Sequence, residues 1–134
     1  MSQNQQNHAF DLDDYQWKNR LLLIFAETES ENSYKNQLNE FQDQQAGFDD
    51  RNLKVFHLFK NDQSFGDEKS ISNSKTIELF DRFEVLDHAF VVILIGKDGT
   101  EKLRTKSVLN TDKLFSVVDA MPMRQQEMRN SDGK

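Results

Sequence analysis

The chain contains no cysteine. That absence removes disulfides, thiolate metal sites, iron–sulfur clusters and every form of thiol catalysis. Proline occurs once, at Pro122, and glycine only five times, so no glycine-rich phosphate loop is available. The sole Gly-x-x-Gly, Gly96 to Gly99, reads as a hairpin turn. No apolar stretch approaches the ~20 residues needed to span a bilayer as a helix. No signal peptide is expected, because the first apolar run, Leu21 to Ala26, comes late and is short. This leaves two compartments open: the cytoplasm, or export with a leader outside this sequence. Excess positive charge is also missing, with a net charge of -6 and a pI near 5.0. A general nucleic-acid binder needs a concentrated basic face, so no nucleic-acid partner is expected. The three histidines have no metal-type spacing, and neither a metal nor a cofactor is expected.

What is present is a polar chain with well-defined apolar punctuation. Charged residues make up 30% of it, and eleven phenylalanines fall mostly inside periodic segments. At 134 residues it is the size of one domain. The polar stretches 1–9 and 130–134 read as loose tails around a domain spanning 10–129.

The dominant stretch is Phe90 to Arg104. Phe90 to Ile95 is continuously apolar and rich in β-branched residues, which predicts a strand buried on both faces. Gly96-Lys97-Asp98-Gly99 turns the chain, and Thr100 to Thr105 returns as a half-exposed strand. Lys97, Lys102, Arg104 and Lys106 lie close together here and read as solvated protection of a sheet edge.

Upstream, Asp11, Asp13 and Asp14 open a turn or short helix whose Tyr15 and Trp17 are expected to pack on the domain edge. Leu21 to Ala26 predicts the first internal strand. Tyr34, Leu38 and Phe41 follow at i, i+4 and i+7, one stripe of an amphipathic helix capped by Asn32 or Ser33 and stopped near Gly47. Leu53 to Phe59 predicts a strand with Leu53, Val55, His57 and Phe59 on one face and Phe56 and Leu58 on the other. His57 reads as a core or edge histidine. Asn61 to Ser74 reads as a long loop ending in a Ser72 or Ser74 cap, and the next helix shows Ile77, Phe80 and Phe83 on its apolar side. Asn110 or Thr111 caps a further helix with Leu114, Phe115, Val118 and Met121 inward. Pro122 opens a short terminal helix to Arg129.

The resulting order is strand, helix, strand, helix, strand, strand, helix. It predicts an α/β domain with a central four-stranded mixed sheet, parallel pairings across both βα units, helices on both faces and a short C-terminal helix. This βαβαββα order resembles a thioredoxin-like fold. Three segments also resemble the domain of unknown function 4174 family of short bacterial proteins: Trp17 to Leu23, Leu94 to Gly99 with Lys102-Leu103-Arg104, and Asp119 to Arg129. A related domain occurs in animal extracellular-matrix proteins, several with sushi repeats. The resemblance implies a thioredoxin-like fold and almost no chemistry.

In that fold the loop after the first strand carries the redox cysteines. In this chain it is Glu27-Thr28-Glu29-Ser30-Glu31-Asn32-Ser33. The resemblance also implies a proline before the closing hairpin, where this chain has Asp87-His88-Ala89. A serine hydroxyl cannot perform thiol–disulfide exchange, so thiol-dependent oxidoreductase and peroxidase activities are excluded for this chain. Ser30 or Ser33 with His88 and Asp87 is a conceivable hydrolytic set, but neither serine sits in a nucleophile-elbow motif. The leading expectation is a non-enzymatic module that binds a protein or peptide. Its surface would comprise Glu27, Thr28, Glu29, Ser30, Glu31, Asp87 and His88, with Arg124 and Arg129 of the terminal helix as a second candidate. A non-redox enzyme working in the same cleft, and an oligomerising domain using Met121 to Arg129, are the alternatives.

Overall fold

The structure, a computed structural model, describes residues 10–132. Its order is β1 (Arg20–Ala26), α1 (Asn32–Glu40), α2 (Gln45–Asp50), β2 (Leu53–Phe59), β3 (Ser64–Gly66), β4 (Lys69–Ile71), α3 (Asn73–Arg82), β5 (Val91–Ile95), β6 (Glu101–Thr105), α4 (Thr111–Asp119) and α5 (Pro122–Asp132). A 3-10 turn, Leu12–Tyr15, precedes β1.

The two apolar runs become the two central strands. β1 and β5 pair antiparallel, Leu21 with Ile95 through Phe25 with Val91, and both are buried along their whole length. Alternate side chains therefore serve two cores. Leu21, Leu23, Phe25, Phe56, Leu58 and Ile93 pack with Leu79, Phe80 and Phe83 at α3. Leu22, Ile24, Phe59 and Leu94 pack with Tyr34 of α1, Phe48 of α2, and Leu114 and Val118 of α4. The fold class is thus the expected one, a mixed sheet with helices on both faces.

The sheet has six strands, in the order β4-β3-β2-β1-β5-β6, and not four. The two extra strands occupy the stretch read as a long loop. β3 and β4 form a hairpin closed by Asp67 and Glu68, both at positive φ (52° and 60°), the geometry of a two-residue turn matched to strand twist. Ser64 anchors it: Phe59 donates its backbone N–H to Ser64 Oγ at 2.9 Å, and Thr76 Oγ1 approaches the same atom at 2.8 Å.

Of the two expected parallel pairings only β1/β2 is parallel. The crossover through α3 delivers β5 on the other side of β1 and running the opposite way. β5 and β6 form the closing hairpin, with Gly99 at φ 86° in its turn.

Several local expectations shift. Glu31, not Asn32 or Ser33, caps α1 by accepting the Tyr34 N–H. Gln37 rather than Leu38 faces inward on that helix, because its amide both accepts from and donates to the Leu109 backbone, at 2.7 and 2.8 Å. Gly47 lies inside α2, since α1 has already ended at Phe41. Thr76 and Leu79 replace Ile77 on the buried side of α3. Ser72 and Asn110 cap α3 and α4 as expected. α5 continues to Asp132, so the stretch from 130 begins as helix; the tail 1–9 lies outside the described residues.

Candidate functional site

Two loops meet at the end of the sheet where β1 stops. β1 runs out at Ala26 into Glu27 to Glu31, and antiparallel β5 begins just after Asp87 to Phe90. The connection is specific. Nδ1 of His88 lies 3.2 Å from Oε1 of Glu27. The other oxygen of Glu27 accepts from Asn61 Nδ2 at 3.2 Å. Asp62 accepts the Glu29 N–H at 2.9 Å, so the segment after β2 braces the loop from behind. Lys60 closes the ring of charge, 3.0 Å from Asp87, while its ammonium sits over the Phe80 ring at 5.3 Å.

Beside these loops is an open cavity of about 550 Å³, lined by Phe80, Glu84, Val85, Leu86, Asp87 and His88 among others. Leu86 is 77% exposed on its rim. Leu86, which no motif in the sequence singles out, joins the expected Asp87 and His88 in this lining.

Among the described residues no hydrogen bond joins Ser30 or Ser33 of the conceivable hydrolytic set to His88. His88 Nδ1 is directed to Glu27, Asp87 to Lys60, and Ser30 Oγ shares a hydrogen bond with Thr28 Oγ1 at 3.1 Å. Among the described residues no group of histidines and carboxylates is arranged to hold a metal ion.

The second candidate surface divides. Arg129 is exposed and donates to Gln126 at 2.7 Å. Arg124 is only 5% exposed. It reaches Asp50 at 2.7 Å and Asp119 at 2.9 Å, pinning α5 to the ends of α2 and α4. It is a structural ion pair, because burial without these carboxylates would strand its charge. Trp17, expected to pack on the domain edge, instead stands 61% exposed, while Tyr15 is buried and bonded to Asp67 at 2.7 Å.

His57 is half-buried on the sheet face, stacked 4.4 Å from the Phe65 ring and sharing a 2.9 Å hydrogen bond with the Tyr34 hydroxyl. Desolvation pushes its imidazole down to about 4, so it stays neutral near pH 7. It is a packed histidine.

Residues 11–127 match the family described as "Domain of unknown function (DUF4174)". The chain belongs to that family. Similar sequence also occurs within longer proteins. The chain is 28% identical over 120 residues to the sushi repeat-containing protein SRPX of Rattus norvegicus, and to the same extent to that of Homo sapiens. Each match covers 87% of this chain and 26% of the SRPX protein, so the chain spans about a quarter of these relatives.

Among solved structures, the DUF4174 chain is similar in shape to the reduced 2-Cys peroxiredoxin of Plasmodium vivax. The TM-score is 0.63 at 16% identity, covering 87% of this chain and 85% of that one. The mitochondrial 2-Cys peroxiredoxin of Plasmodium falciparum gives 0.63 at 14% identity, covering 93% and 85%. At such identity the likeness concerns the fold alone: DUF4174 here is a thioredoxin-like domain. It has that fold without a cysteine.

Proposed function

We propose that this domain is a non-redox thioredoxin-like module that binds a protein or peptide at the end of the sheet formed by Glu27 to Glu31 with Leu86, Asp87 and His88. One observation carries the reading. The loops after β1 and before β5 are joined by the Glu27–His88 contact and flank an open cavity rimmed by an exposed leucine. An apolar anchor point surrounded by carboxylates and an imidazole suits recognition of a side chain in a basic or mixed segment. The thiol that would turn recognition into exchange is missing from this chain. The matching portion of the SRPX proteins is one part of a longer, sushi repeat-containing chain, which supports a modular role.

Capture from a lysate of the source organism tests the surface. Glu27→Lys with Glu29→Lys is the appropriate pair, because Glu31 caps α1 and its reversal would also disturb the helix. The double variant is expected to lose partners that the parent retains. Unchanged capture would remove this surface from consideration.

A further inference from the structure

A second feature lies at the opposite end of β1, about 20 Å away for a strand of this length. Trp17, Lys97, Lys102, Met121 and Met123, with Arg20 among the lining residues, enclose a cavity of about 360 Å³. Trp17 is the only tryptophan in the chain. Its φ is 70°, a conformation that a bulky residue rarely adopts, and its N–H is fixed by a 2.6 Å bond to the Lys97 carbonyl. The turn therefore holds a large ring outward, 61% exposed, alongside Met123 at 39%. Strain maintained to expose an aromatic ring points to use of the ring.

The charge around this groove is unbalanced. One carboxylate, Glu127, is shared by Arg20 at 3.1 Å and Lys97 at 2.7 Å, with the Arg51 carbonyl and Asn52 Oδ1 as further, uncharged acceptors, and Lys102 pairs with Asp98 at 3.0 Å. Three cations thus meet two carboxylates, in a chain whose net charge is -6. Arg20 is fully buried, and its Nε has no hydrogen-bond partner among the described residues. An occupant bearing carboxylates would balance the excess, and one bearing a bulky apolar side chain would cover Trp17 and Met123. Covering the exposed ring as well as filling the cavity calls for an extended segment.

We infer that this groove is a second binding site, for an acidic peptide segment with one bulky apolar anchor: the anchor packs on Trp17 and Met123, and the carboxylates face Lys97 and Lys102. The site is separate from the Glu27–His88 surface and does not depend on it.

Because Trp17 is the sole tryptophan, its emission reports occupancy directly. The probes are a capped Glu-Glu-Phe-Glu-Glu peptide and a set in which the single anchor is Leu, Met or Tyr in place of Phe. A saturable emission shift is expected, weakened by roughly ten-fold or more in Lys102→Glu and in Met123→Ser. It should be unchanged in Glu27→Lys/Glu29→Lys, which separates this site from the first. Circular dichroism confirms that each variant is folded, and Met123→Ser keeps the test valid if Lys102→Glu is not. The inference is overturned if no acidic peptide of the set shifts the emission, or if peptides with Lys in place of Glu do so equally. It is also overturned if hexanoate alone reproduces the shift at the same concentration. Emission that changes with protein concentration alone, together with a dimeric mass, would assign the groove to a second copy and equally overturn it.

Discussion

Arg20 and Glu127 meet at 3.1 Å across the start of the sheet, with the arginine side chain 1% exposed and the glutamate 26%. The contact joins the first residue of β1 to the terminal helix, and Lys97 from the closing hairpin shares the carboxylate at 2.7 Å. Burial raises the Glu127 pKa, and hydrogen bonds from Arg20 and Lys97 outweigh it, leaving the carboxyl below its ordinary value. Glu127→Ala leaves Arg20 buried without its counter-charge, and is expected to destabilise by about 3–5 kcal/mol. Glu127→Gln, which keeps a hydrogen-bond acceptor, is expected to lose less. Urea denaturation midpoints measure both.

Gly99→Val places a β-branched residue at φ 86°. The expected loss is about 1–2 kcal/mol from backbone strain. Its Cβ would also sit 3.3 Å from Gln16 Nε2, a side chain bonded to the Asp98 carbonyl. A thermal melt that overlays the parent would contradict this geometry.

Ile93→Asp puts a carboxylate at a position with no exposure, in the middle of β5. The neighbouring strands present Leu23 and Arg104 at its register, and its side chain belongs to the α3 face of the core. Loss of cooperative unfolding, or a penalty of more than about 4 kcal/mol, is expected by calorimetry.

His57 gives the fold a pH dependence. Its folded pKa, about 4, lies below the ordinary 6.5. The unfolded chain therefore binds a proton in this window that the native state refuses, and stability is present above 6.5 and lost as pH falls toward 4. Replacing His57 with Phe is expected to flatten the fall in denaturation midpoint between pH 6.5 and 4 relative to the parent.

The parts of the fold legible in the sequence were those written locally. Leu21 to Ala26 and Phe90 to Ile95 announce their burial by continuous apolarity, and Gly99 and Asn110 announce a turn and a cap through their own chemistry. The β3/β4 hairpin was invisible because each strand is three residues long and its turn is Asp67-Glu68 rather than a glycine-bearing pair. Leu38 and Gln37 were exchanged because periodicity weighs hydrophobicity, while Gln37 earns its place through the Leu109 backbone 72 residues away. Arg20 reads as a polar residue before a strand; its partner is 107 residues distant. Arg124 likewise reads as surface in the sequence, because the carboxylates that pair with it come from the ends of α2 and α4. For the candidate site, the sequence brought Glu27 and His88 together through the thioredoxin-like order. It could not show Leu86 on the cavity rim, since exposure depends on how the segment after α3 turns.

We propose that a partner polypeptide seats at the Leu86–His88 rim. Site-specific photo-crosslinking tests it most directly, with benzoylphenylalanine placed at Leu86 and, as a control, at exposed Ser116 on α4. Irradiation with the partner pool is expected to give a discrete adduct from position 86, absent from 116 and suppressed by Glu27→Lys/Glu29→Lys. Equal adducts at both positions, or none at 86 from a folded protein that still captures partners, would rule out binding at this rim.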